Sequence, residues 1–281
     1  MSLLLDHELL EYIREDVPYF DLTTHMLTST FHPARLDIYT RGDTVVACSE
    51  EAGRVAELLG AKVVYLVPSK TRLKENETVL SIEANGDILH QVWKLSAVLL
   101  EYACGMATYA NEMLKNVQSV NAKCEVFVTR KNVPFAKKLS IRAMLCGGVL
   151  PHRLGLGETI VIFSHHRALF KDKTMFLEAL KGLKQKAVEK KIIIECKDID
   201  DAKEVLSVGA DVIQMDKSDI DSLVSLVTFK NAHYPHAKIL ATGGINKDNA
   251  AKFAQTGVDA LVTSSPYQAK MTDLGTKWSN L

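Results

Sequence analysis

The sequence has no excess of either charge: its 281 residues carry 34 Lys+Arg and 34 Asp+Glu, a formal net charge of zero. That argues against a globally basic nucleic-acid binder and against attraction to anionic membranes, so any anion site must come from a local cluster. No C-x-x-C pair occurs among the five cysteines, Cys48, Cys104, Cys124, Cys146 and Cys196, which are scattered and odd in number. A disulfide framework or zinc site is not expected, and the thiols read as reduced and mostly buried. No stretch approaches the roughly 20 apolar residues of a membrane span. The short apolar run before Asp6 and His7 is no signal-peptide core. A cytoplasmic protein is the expectation. Internal repeats and low-complexity tracts are also missing.

Apolar residues make up 47% of the chain, enough for a sizeable core, and the length suits one large domain plus a smaller one. Leu9, Leu10, Ile13 and Val17 are spaced for an opening amphipathic helix. β-rich pieces follow at 36–40 (LDIYT) and 44–49 (TVVACS). The segment 88–114 reads as one or two long helices, with Gly105 a candidate break. Together these predict a small α+β domain over 1–115.

From about residue 120, short β-branched runs alternate with helical stretches. The runs are 124–129, 159–164, 192–196, 211–216, 238–242 and 259–264, with a weaker seventh near 143–146. Helices are expected at 171–190, 200–208, 218–232 and 247–256, and in the second Ala202, Val205 and Leu206 share one face. Such alternation implies a parallel sheet, and near-continuously apolar strands imply cover on both faces. The count favours an α/β barrel over 116–267, open if incomplete, with a tail at 268–281 packing back on the first domain.

In β/α barrels chemistry sits at the C-terminal ends of the strands. Here those ends carry Thr129-Arg130-Lys131, His152-Arg153, Ser164-His165-His166-Arg167, Glu195, Asp216-Lys217, Thr242-Gly243-Gly244 and Thr263-Ser264-Ser265. The last two turns read either as tight turns or as a phosphate cradle of backbone N–H groups. Glu195 and Asp216 are either solvated carboxylates or a Mg²⁺ site, since Mg²⁺ favours one or two carboxylates plus substrate phosphate oxygens. Arg130, Lys131, His152 and Arg153 are either loop charges or a site for a dianion. A His165-His166 zinc pair is disfavoured, because adjacent residues on a strand point opposite ways. The residues alone suggest a barrel enzyme for a phosphorylated, strongly anionic substrate.

The run 129–163, TRKNVPFAKKLSIRAMLCGGVLPHRLGLGETIVIF, resembles the signature of the quinolinate phosphoribosyltransferase (nicotinate-nucleotide pyrophosphorylase) family: T-R-K-x-x-P, then G-G, then H-R-x-G-L. Further matches follow in order at 14–16 (RED), 21–24 (DLTT), 104–108 (CGMAT), Glu195, 213–216 (IQMD), 241–245 (ATGGI) and 257–264 (GVDALVTS). The likeness covers nearly the whole chain. It implies a small sandwich-like α+β domain followed by an open seven-stranded α/β (TIM-like) barrel. It also implies transfer of phosphoribose from phosphoribosyl pyrophosphate to a small aromatic acid with Mg²⁺. In the family quinolinate becomes nicotinate mononucleotide as pyrophosphate leaves and carbon dioxide is lost. By the same resemblance Glu195 and Asp216 hold Mg²⁺, Lys131 contacts the pyrophosphate, and Lys131, Glu195 and Asp216 are the catalytic set. Arg130, His152, Arg153 and Lys94 bind the acceptor, and Thr242, Gly243, Gly244, Thr263 and Ser264 cradle the 5′-phosphate. The implied assembly is a homodimer with a shared active site, with a hexamer left open.

Four positions depart from the family pattern. A Glu-Arg pair is Trp93-Lys94 here, a Lys on the third strand is Phe163, an Asp before Thr-Arg-Lys is Val128, and an Asn is Lys217. Lys94 keeps charge without the bidentate fork of Arg. Phosphate and metal positions are kept while acceptor-facing ones are less polar, and a dicarboxylate tolerates the loss of a buried cation poorly. Trp93-Lys94 and Ser164-His165-His166-Arg167 resemble the ModD subgroup, pyrophosphorylases associated with molybdenum transport systems. An altered acceptor is therefore expected; the competing readings are an ordinary quinolinate enzyme that tolerates Phe163 and Lys94, and a non-catalytic oxyanion or nucleotide binder on the same barrel.

Overall fold

The computed structural model describes residues 3–27 and 31–281. Along the chain come helices α1 (Asp6–Asp16) and α2 (Leu22–Leu27), strands β1 (Pro33–Thr40) and β2 (Thr44–Val45), helix α3 (Ser49–Leu58), strands β3 (Lys62–Leu66), β4 (Arg72–Leu73) and β5 (Thr78–Asn85), and helix α4 (Gly86–Val120). Then follow β6 (Glu125–Val128), α5 (Lys137–Cys146), β7 (Leu150–Pro151), β8 (Ile160–Ile162), α6 (Ser164–Arg167), α7 (Lys173–Lys186), β9 (Ile192–Cys196), α8 (Ile199–Ser207) and β10 (Val212–Asp216). The chain ends with α9 (Ile220–His233), β11 (Lys238–Thr242), α10 (Ala250–Gln255), β12 (Ala260–Thr263), a 3-10 turn (Ser265–Gln268) and β13 (Leu274–Asn280). It divides into two compact units: Met1–Asn111 with Asn132–Gly148 and Pro266–Leu281, and Glu112–Lys131 with Val149–Ser265.

The first unit is built on a four-stranded antiparallel sheet in the order β13-β1-β5-β3. β1 alternates as a half-buried strand should, with Leu36, Ile38 and Thr40 fully buried between more exposed neighbours. Helix α3 packs against β3 and β5 and buries Ala52, Val55 and Ala56. Beneath it Arg142 of α5, 6% exposed, reaches Glu50 Oε2 at 3.0 Å and Glu51 Oε1 at 3.2 Å. Helix α4 is continuous, so Gly105 is not a break. A Cβ there would lie 2.3 Å from the Lys270 carbonyl oxygen, so the glycine lets the C-terminal segment cross the helix. The Thr272 N–H then donates to the Glu101 carbonyl at 3.0 Å.

The second unit carries a seven-stranded sheet in the order β7-β6-β12-β11-β10-β9-β8, all pairs parallel. Its strands are apolar over most of their length, and Leu240, Ala260 and Val262 form a core against Phe127 and Val212. β7 and β8 are its two free edges, and residues beyond them meet: the Arg153 guanidinium lies 5.8 Å from the Phe163 ring centroid. The open α/β barrel expected from the alternating pattern is thus present. Three local expectations are corrected. Residues 143–146 end helix α5, and the seventh strand is Leu150–Pro151. Of 44–49 only Thr44–Val45 is strand, because Ser49 already begins α3. Ser164–Arg167 is a helical turn, so the strand geometry invoked for His165 and His166 does not apply.

Candidate active site at the barrel rim

The rim is tightest where β10 meets β11. Asp216 ends β10 in register with Thr242. The Lys217 N–H donates to the Thr242 carbonyl at 2.8 Å, carrying the ladder one residue further. Gly243 then turns with φ +94°, and a Cβ on it would lie 2.7 Å from Asp216 Oδ1 and 2.5 Å from Lys217 Cγ. Only a residue without a side chain lets this turn sit against the carboxylate. Gly244 follows at φ +69° with open space around it. Asn249 braces the turn: its Nδ2 donates to the Gly244 carbonyl at 3.0 Å and its Oδ1 accepts from the Asn246 N–H at 2.8 Å.

The neighbouring turn after β12 is tied to the first. The buried Thr263 hydroxyl donates to the Ile245 carbonyl at 2.6 Å and accepts from the Ser265 N–H at 3.0 Å. Thr263 is therefore engaged as a clasp between the two small-residue turns, while Ser264 is half-buried beside it. The Thr129 N–H donates to the Thr263 carbonyl at 2.9 Å, which joins the end of β6 to the same corner.

Glu195 and Gln214 are register partners on β9 and β10. The Glu195 carboxylate accepts from the Ser164 backbone N–H and lies 3.5 Å from Gln214 Nε2. Burial, and then the nearby charge of Asp216, raises the Glu195 carboxyl above its ordinary range. Gln214 and Asp216 lie two residues apart on one strand and so share a face. Gln214 Oε1 is buried without a hydrogen-bond partner. Two carboxylates and an unpartnered amide oxygen on neighbouring strands are hard-oxygen donors of the kind that could hold Mg²⁺. Among the described residues no group of three or more His, Cys, Asp and Glu side chains converges for a metal.

Cations gather at the other side of the rim. Arg130 and Lys131 follow β6 and are exposed. His152 and Arg153 follow β7, with the His152 N–H donating to the Val128 carbonyl at 2.8 Å. Burial, and then the charge of Arg153, lowers the His152 imidazole, whose Nε2 is buried without a partner. Burial, and then Arg130, also lowers Arg153, so two guanidinium groups face each other's field. Such a cluster suits an anion that neutralises both. Lys94 belongs to the other unit, exposed on α4, with its Nζ 5.5 Å from the Trp93 ring.

Several rim residues have structural duties not visible in the sequence. Arg167 forms a two-pronged pair with Asp201 at 2.7 and 2.5 Å and donates to the Glu195 carbonyl at 3.3 Å, which anchors the end of β9. His166 Nδ1 accepts from the Phe163 N–H at 3.0 Å and its ring stacks on Phe163, so that nitrogen is already used. Gln214 and Asn249 were not singled out from the sequence. The sequence signal for Gln214 is a polar side chain within an apolar strand, and for Asn249 an Asn just before a helix.

An open parallel barrel with an oxygen set, a glycine turn and a cation cluster at its strand ends belongs with the α/β-barrel enzymes. Residues 21–104 match the model of the quinolinate phosphoribosyl transferase N-terminal domain, and residues 106–277 match that of its C-terminal domain. Among curated relatives, a Pasteurella multocida protein named "Putative pyrophosphorylase ModD" is 32% identical over 269 residues, 96% of this chain and 95% of its own. A Rhodobacter capsulatus protein of the same name is 33% identical over 257 residues, 92% of this chain and 98% of its own. The solved nicotinate-nucleotide pyrophosphorylase of Francisella tularensis superposes with a TM-score of 0.88 at 19% identity, over 97% of this chain and 95% of its own. At that identity the structural likeness speaks for the fold. The chain belongs to the quinolinate phosphoribosyl transferase family and is a phosphoribosyltransferase of that family.

Proposed function

We propose that this protein transfers phosphoribose from phosphoribosyl pyrophosphate to the ring nitrogen of an aromatic acid other than quinolinate. The observation that carries the reading is the corner where the Gly243 turn rests against Asp216, so that phosphate-binding and metal-binding chemistry adjoin. The N–H groups of the Gly243-Gly244 turn, with Thr242 and Ser264 beside them, would hold the 5′-phosphate. Thr263 would hold that cradle's shape through its bond to Ile245. Glu195 and Asp216, with Gln214 Oε1, would hold Mg²⁺, which when bound supplies positive charge against the departing pyrophosphate.

As the bond from the anomeric carbon to pyrophosphate breaks and the bond to the ring nitrogen forms, positive charge develops on the ribose. The Glu195 and Asp216 carboxylates favour that charge, and Lys131 is suited to the pyrophosphate oxygens. Arg130, His152 and Arg153 would take the acceptor's carboxylate. A neutral His152 offers its unpartnered Nε2 as either donor or acceptor, according to its tautomer. Phe163 and Lys94 argue against a second, tightly held carboxylate. Lys94 would act in a homodimer, reaching the acceptor bound to the partner protomer. The relatives named putative pyrophosphorylase ModD support the pyrophosphorylase reading.

The test is pyrophosphate release from phosphoribosyl pyrophosphate and Mg²⁺ with quinolinate, nicotinate and related aromatic acids, each beside Asp216→Ala. Release with a monocarboxylic acid that disappears in the variant is the expected result. Release undiminished in Asp216→Ala overturns the proposal, and tight binding of phosphoribosyl pyrophosphate without turnover favours a binder.

A further inference from the structure

The two free edges of the barrel leave a seam, and a cavity of about 380 Å³ lies along it, lined by β8, the loop that leads into it and helix α7. A parallel barrel of eight strands fills its interior with side chains. Here one strand fewer leaves the β8 edge facing open volume. The cavity size falls within the ordinary range for small-molecule pockets, roughly 300–1,000 Å³. Its walls are apolar on the β8 side at Ile162, and on the α7 side an edge-to-face aromatic pair, Phe170 and Phe176, stands with ring centroids 5.5 Å apart.

The two ends of the cavity differ. At one end stands Arg153, which belongs to the cation cluster and forms no ion pair with a carboxylate among the described residues. In the wall, Thr159 Oγ1 is buried without a hydrogen-bond partner. The loop that carries both is held in shape by Glu158, whose carboxylate accepts from the Leu154 and Gly155 N–H groups. A solvated surface groove has no reason to combine an unpaired guanidinium, an orphaned hydroxyl and an aromatic wall. A ligand with a carboxylate at one end and a flat apolar body satisfies the guanidinium and the aromatic wall together.

We infer that the seam is an extension of the acceptor site, and that the acid this protein takes is a monocarboxylate with an extended aromatic or apolar body. Its carboxylate meets Arg153 and Arg130, and its body lies along β8 against Phe170 and Phe176. The inference rests on the acceptor-binding role proposed above for the cation cluster.

The experiment is calorimetric titration of the full-length protein with benzoate, biphenyl-4-carboxylate and the uncharged biphenyl-4-carboxamide. Biphenyl-4-carboxylate is expected to bind at least about tenfold more tightly than benzoate, from the second ring buried, and more tightly than the carboxamide. Ala179 lines the cavity from α7, and Ala179→Phe fills it. That variant is expected to abolish the biphenyl advantage. Its folding is checked by its unfolding midpoint, and Leu183→Trp replaces it if it does not fold. Equal affinity for the two acids, an advantage that survives filling, or a signal that follows protein concentration because a second copy covers the seam each overturn the inference. Binding of phosphoribosyl pyrophosphate with Mg²⁺ is measured on the same preparation. If it persists while the biphenyl preference is missing, the seam alone fails. If it is missing while the preference is present, the seam stands and the transferase reading fails.

Discussion

Replacing Gly243 by alanine tests whether the turn after β11 must touch Asp216. Two separate costs apply. A φ of +94° is a region that residues with a Cβ avoid, at about 1–2 kcal/mol. The new methyl would also lie 2.7 Å from the Lys217 nitrogen, which is fixed by its 2.8 Å hydrogen bond to the Thr242 carbonyl. Overpacking against such an immobile group adds roughly 1–3 kcal/mol. Together these make about 2–5 kcal/mol, and at about 2–4 °C per kcal/mol for a chain of this size class the midpoint of thermal unfolding should fall by roughly 4–20 °C. Gly244→Ala is the control. It carries the same kind of backbone cost at φ +69°, but nothing lies within 4 Å of its added Cβ. Its midpoint should fall by only about 2–8 °C, from the φ cost alone, about 1–2 kcal/mol. Differential scanning calorimetry, with and without phosphoribosyl pyrophosphate, reads both variants, and Gly243→Ala should also lose most of the ligand-induced stabilisation. Equal midpoints for the two variants, with ligand stabilisation intact in Gly243→Ala, would refute the argument that this contact shapes the site.

Two further predictions concern buried charge. Arg142→Met leaves Glu51, 1% exposed, without its cation, and should cost about 3–5 kcal/mol in urea denaturation; adding Glu51→Leu should recover much of that. In Asp216→Asn the carboxyl of Glu195, observed by carbon NMR titration, should ionise at lower pH than in the parent, because one of its two raising influences is gone. The sign for stability follows: a carboxyl raised in the folded state removes stability as pH climbs from its unfolded value through its folded one. That decline should therefore be shallower in the variant, and a Glu195 titration unchanged by the substitution counts against the coupling.

Most of the rim could be read from the sequence because it is written at strand ends. β9, β10, β11 and β12 are mostly apolar runs, and Glu195, Asp216, Thr242 and Thr263 in their last two positions mark the C-terminal edge of the sheet. The pattern fails where burial is not one-sided. Helix α5 buries Ser140, Ile141, Arg142, Ala143, Met144 and Cys146, so its last turn shows no amphipathic period and resembles a short buried strand. Gly105 looked like a helix break because its reason, the Lys270 carbonyl, lies more than a hundred residues away in the chain. The duties of Arg167, Gln214 and Asn249 depend on which strands are neighbours, and no local spacing encodes that. Arg167 is the clearest case. Beside two histidines it looks like part of a cationic patch, yet its charge is matched by Asp201.

The antiparallel pairing of β13 with β1 has a consequence for how the chain is made. Its register joins Ala34 to Asn280 and Thr40 to Leu274, so the first sheet acquires its outer strand only after residues 274–280 have left the ribosome. In the barrel, β9 to β12 pair each with the strand before it as they appear, and β6 gains its second neighbour when β12 emerges. During synthesis β1 must therefore wait with one hydrogen-bonding edge uncovered, the state in which strands are most prone to join a foreign partner. A chain shortened by its final eight residues would keep every rim residue and yet never leave that waiting state.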